Sequence, residues 1–89
     1  MVLSQVIGNV VATQKNEKLV GKKLLIAKAI GLDGKLLEPF VVAVDIVGVG
    51  IGEKVLVVNG SSARQTEDTK DISVDSVIVA KVDSIQIGT

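Results

Sequence analysis

Apolar residues arrive in this chain as short runs of valine, isoleucine and leucine, each cut off by glycine or by charge. Val41-Val42-Ala43-Val44 and Val55-Leu56-Val57-Val58 are the clearest. β-Branched side chains lose rotamer freedom in a helix and pack well on a pleated surface. Short runs of them between turn signals are a strand signal, not a helical one. The pattern predicts five strands: Val2 to Thr13, Lys23 to Ile30, Phe40 to Ile46, Lys54 to Asn59 and Val77 to Ile87. Gly8 interrupts the first, which predicts a bulge or a barrel corner there. Asp33-Gly34 suits a hairpin turn because glycine accepts positive φ without strain, and Pro39 precedes the third strand. Ser62 stands three residues before Gln65, the spacing of a capping box, so a short helix is expected over Ala63 to Thr66. A polar loop follows, from Glu67 to Ser73.

The two continuous runs imply burial on both faces of the sheet. A chain of 89 residues makes one domain, residues 1–89, with no second core to supply that cover. At this size folding hides only about two-thirds of the surface of the unfolded chain. Yet 47% of the residues are hydrophobic, and Phe40 is the single aromatic among them. That is more aliphatic surface than one small core absorbs, and copies of the same chain are its simplest cover. Five short strands also leave open edges, which closure into a small barrel removes. The residues therefore predict an all-β barrel that associates with itself.

Charge and composition exclude several functions. Ten basic and ten acidic residues cancel and are interleaved, so no basic stripe is present to attract nucleic acid. Lysines at 15, 18, 22 and 23 make one locally basic stretch, but Glu17 interrupts it and no aromatic platform accompanies it. It is read as a solvated loop. Cysteine and histidine are both absent, which removes disulfides, thiolate nucleophiles, zinc clusters and the commonest general base. No apolar run approaches the roughly 20 residues that span a membrane, and Met1 to Gln5 does not open a signal peptide. The expectation is a soluble intracellular protein with no cofactor and no membrane partner.

Gly48-Val49-Gly50-Ile51-Gly52 invites comparison with a phosphate loop. A Walker loop needs lysine directly after its last glycine, and here Glu53 intervenes before Lys54. A dinucleotide fingerprint needs a helix next, and residues 54–58 read as a strand. The better reading is a tight turn between the third and fourth strands. Ser61 and Ser62 sit near Arg64, but no histidine can activate either hydroxyl. Arg64 is the only arginine, and its planar five-donor head suits a bidentate pair across an interface. Asp45, Asp75 and Asp83 lie at predicted strand ends, where aspartate usually satisfies turn backbone rather than a metal. No catalytic set emerges, and the chain is not read as an enzyme.

These segments occur in an order that resembles a known family. Residues 10–15 (Val-Val-Ala-Thr-Gln-Lys), 21–25, 42–45, 47–53, 55–57 and 60–64, then Val74-Asp75 through Asp83, together resemble the EutN/CcmL family of bacterial microcompartment vertex proteins. The resemblance implies a five-stranded barrel similar to an OB-fold, assembling as a cyclic pentamer. Such pentamers cap the vertices of an icosahedral shell in the bacterial cytoplasm, beside hexameric shell proteins that tile its facets. It also implies that Gly48, Val49, Gly50, Ser61 and Ser62 lie toward the five-fold axis, and that Thr13, Gln14, Lys15 and Arg64 lie in the subunit interface. Two positions depart from the family pattern: Val49 replaces the usual alanine and is expected to narrow any axial opening, and Lys81 brings a charge to the last strand. The competing reading is an OB-type binding module for nucleic acid or oligosaccharide, which lacks the stacking aromatics it would need.

Overall fold

The structure, a computed structural model, describes residues 1–13, 17–60 and 75–88. Five strands form, β1 (Val2–Val10), β2 (Lys23–Ile30), β3 (Leu36–Asp45), β4 (Lys54–Asn59) and β5 (Ser76–Val82). They close into a barrel in the order β1-β2-β3-β5-β4, so no strand of the described residues is left at a sheet edge along its whole length. β1 runs antiparallel to both β2 and β4, while β3 meets β5 in a parallel joint of only two residue pairs, Val44 with Val77 and Asp45 with Ile78. The register of β1 against β2 slips between Val6 and Gly8, so the strand bends at the corner its glycine predicts. Asp33-Gly34 turns β2 into β3, with Gly34 at φ +84° and its N–H donated to the Gly31 carbonyl at 2.9 Å. The expected helix over residues 63–66 lies outside the described residues. Within them a short 3₁₀ turn forms at Glu17–Leu19.

Three strand ends differ from the sequence reading by three residues or more. β1 stops at Val10 rather than Thr13. β3 begins at Leu36, four residues early, and runs through Pro39. At that level its partner among the described residues is β2 alone, so a residue without an N–H can sit in the strand. β5 stops at Val82 because its partner β4 begins at Lys54, the residue paired with Val82, and Ile85 and Ile87 continue without a ladder.

Inside the barrel, Val6, Leu25, Ala27, Ala43, Val49, Val55, Val57 and Ile78 pack together, with Val41 against them. A second group sits on the opposite face of the same strands. Leu24 faces Val44 and Val44 faces Val77 across the ladders, and Leu19, Ile46 and Val79 close over them. The 3₁₀ turn thus covers part of the outside of the barrel. Elsewhere the outer face is open: in the run 41–44 Val42 remains 45% exposed while Ala43 and Val44 are buried. The two-sided burial expected of that run is only half supplied by one subunit.

Candidate assembly surface

The Gly-rich turn between β3 and β4 is held by two carboxylates that bracket it. Asp45, the buried last residue of β3, accepts the backbone N–H groups of Val47 and Gly48 on Oδ1 at 2.9 Å each and that of Val49 on Oδ2 at 2.8 Å. Glu53 accepts the Gly50 N–H at 2.8 Å. Every backbone donor from residue 47 to residue 50 therefore already serves a side chain of the protein, and none of them is free to cradle a phosphate. The turn's carbonyls are used too. Lys23 Nζ, 4.0 Å from the Asp45 carboxylate, donates to Val49 O at 2.9 Å, and Gln5 Nε2 donates to Gly52 O at 3.0 Å. Two further bonds, Gly52 N to Val6 O at 2.8 Å and Val6 N to Glu53 O at 3.0 Å, tie the turn to the bend of β1. Gly48 and Gly52 take φ of +95° and +92° with open space where a Cβ would stand, so they are needed for conformation rather than for room.

Val49 corrects the sequence reading. Its side chain is 1% exposed and belongs to the barrel core, so it cannot project into an axial opening. The turn leaves the end of β3, dips this side chain into the core and returns to the start of β4. Gly48 beside it is exposed and Gly50 half-buried. Thr13 is exposed in a bend after β1. Gln14, Lys15, Ser61, Ser62 and Arg64 lie outside the described residues. Gly48 to Gly50 precede β4 and Gly60 follows it, at opposite ends of a six-residue strand about 17 Å long.

Four charged or polar residues that hold this turn, Gln5, Lys23, Glu53 and Lys81, are not marked for that role by the sequence. Lys81 stands out only as a charge in an apolar strand, and the structure supplies its partner. Its ammonium lies 2.8 Å from the Glu53 carboxylate, so one glutamate clamps both the turn backbone and β5. The Lys81 hydrogen bond, and after it the Gly50 N–H, hold the Glu53 carboxyl below its ordinary value. In turn the Glu53 carboxylate raises Lys81.

The outward surface carries large apolar side chains. Val11 is 86% exposed, Ile51 63% and Phe40 55%. Among the described residues, no cluster of three carboxylates is placed to hold a metal. A small closed barrel with a rigidly braced turn and uncovered aliphatic side chains defines a building-block protein, one whose functional surface is the surface that meets other subunits. Comparison with known proteins gives the family. Residues 1–83 match the family described as "Ethanolamine utilisation protein EutN/carboxysome". The shell vertex protein PduN of Salmonella typhimurium is 43% identical, over 96% of this chain and 98% of that protein. Among solved structures, CcmL of Nostoc has a TM-score of 0.92 at 41% identity, covering 98% of this chain and 92% of that one. GrpN of Rhodospirillum rubrum, a pentameric microcompartment shell protein, has a TM-score of 0.88 at 41% identity, covering 99% of this chain and 100% of that one. The chain belongs to the EutN/CcmL family of microcompartment shell vertex proteins, a structural family and not an enzymatic one.

Proposed function

We propose that five copies of this chain close into a ring that fills the vertices of a bacterial microcompartment shell in the cytoplasm, where hexameric shell proteins form the adjoining facets. The observation that carries this reading is similarity along the whole chain to shell vertex proteins, one of them pentameric. The exposed aliphatic side chains support it. A head-to-tail contact repeated by a closing rotation makes a ring, and such contacts bury the apolar surface that a small core leaves over.

In this ring Gly48, Gly50, Ser61 and Ser62 face the five-fold axis. Val49 braces the Gly48–Gly50 turn from inside the barrel. Thr13, Gln14, Lys15 and Arg64 lie in the interface between subunits, where the guanidinium of Arg64 suits a bidentate partner on the next subunit.

The test is assembly with the partners. Hexameric shell proteins of the same compartment, produced with this chain, are expected to give closed polyhedra by electron microscopy. Without it, elongated or open-cornered shells are expected. Shells that close equally well in its absence would overturn the reading.

A further inference from the structure

The end of the β4–β5 ladder carries a residue pair with chemistry of its own, Asn59-Gly60. An asparagine followed by glycine can modify itself. The backbone nitrogen of the glycine attacks Cγ of the asparagine amide, a C–N bond forms, and the Cγ–Nδ2 bond breaks with loss of ammonia. Water then opens the resulting succinimide at either carbonyl, leaving aspartate or isoaspartate. Glycine is the neighbour that permits this most readily, because no side chain obstructs the approach.

In this fold the attacking nitrogen and the attacked amide are both occupied. The Gly60 N–H donates to the Asp75 carbonyl at 2.8 Å. The Ser76 hydroxyl donates to Asn59 Oδ1 at 2.6 Å. Asn59 and Ser76 face each other as the last pair of the ladder, so the two bonds close on adjacent residues of both strands. Asn59 itself is exposed and water can reach it. We infer that Asn59-Gly60 is a self-modification site gated by this clasp. While the ladder end is closed the nitrogen is committed to Asp75 and cannot reach Cγ. Opening that end frees it.

The product matters to the fold. Aspartate at 59 sets a new negative charge close to Asp75. Isoaspartate adds a methylene to the backbone of β4 just where its register with Ser76 is fixed, and a one-atom extension spoils that pairing. Modification therefore weakens the clasp that had restrained it.

The experiment follows the mass gain of amide-to-acid conversion at residue 59, by peptide mapping, in the full chain aged in mildly alkaline buffer with and without urea. The conversion rate tracks the population of the open form, so it is expected to be at least about tenfold slower in the folded protein. Ser76→Ala is expected to speed conversion in the folded protein and to leave the rate in urea unchanged. No conversion at residue 59 in urea would overturn the site. Equal rates in folded and unfolded protein, or a Ser76→Ala variant that ages like the parent when folded, would overturn the gate.

Discussion

Asp45 illustrates how much one side chain can fix. Its carboxylate takes three consecutive N–H groups of the turn, and aspartate is short enough to do so from the strand that precedes them. Removing it leaves the buried Val49 N–H with no acceptor and the more exposed ones of Val47 and Gly48 to water. Asp45→Ala is therefore expected to cost roughly 3 kcal/mol of folding free energy, read from urea unfolding. Glu53 does similar service from the other side, but it is solvent-accessible and its contribution depends on pH. Its folded pKa is depressed below the ordinary 4.5, so the stability it adds is present above that value and is lost as pH falls through the lower folded one. Lys81 is raised above the ordinary 10.5, so its part is present below that value and lost as pH rises through the higher folded one. Lys81→Met is expected to flatten the acid-side slope of urea midpoint against pH. An unchanged slope would show that the pair does not couple folding to protons.

At the scale of elements, glycines with equal claims in the sequence have unequal roles. Gly52 needs its left-handed backbone, whereas Gly8 does not, and a Cβ there would only touch Ile26 at 3.5 Å. Gly52→Ala is expected to cost about 1–2 kcal/mol, and Gly8→Ala to stay within about 0.5 kcal/mol, by thermal or urea unfolding. Much of this level was legible beforehand. The five strands, the β1 corner and the Asp33-Gly34 turn follow from β-branched runs and turn chemistry. The strand ends did not, since β5 ends where β4 ceases to offer a partner, and a one-dimensional pattern of Val and Ile contains no such limit. The direction of Val49 was hidden as well: between two glycines periodicity has no face to point to, and only the return of the turn to β4 sends that side chain inward. The Glu53–Lys81 clamp joins residues 28 positions apart, and nothing in either segment marks the other as its partner.

For the molecule as a whole, the aliphatic excess is the fact that the fold does not resolve. The barrel buries one small core and a smaller cluster outside it, and still leaves valine, isoleucine and phenylalanine exposed. In a monomer that surface invites nonspecific association, and in a ring it becomes the contact. Arg64→Ala should separate the two levels of organisation. The strand signal in circular dichroism is expected to persist while the oligomer weakens on gel filtration, and equal loss of both would place Arg64 in the fold rather than the interface.

Ring formation itself is best read by native mass spectrometry of the unmodified chain at micromolar concentration. Five subunits of 9.2 kDa give a particle of about 46 kDa, and that mass is expected to dominate. A stable species of 9.2 kDa, or a predominant oligomer of any number other than five, would contradict a vertex ring.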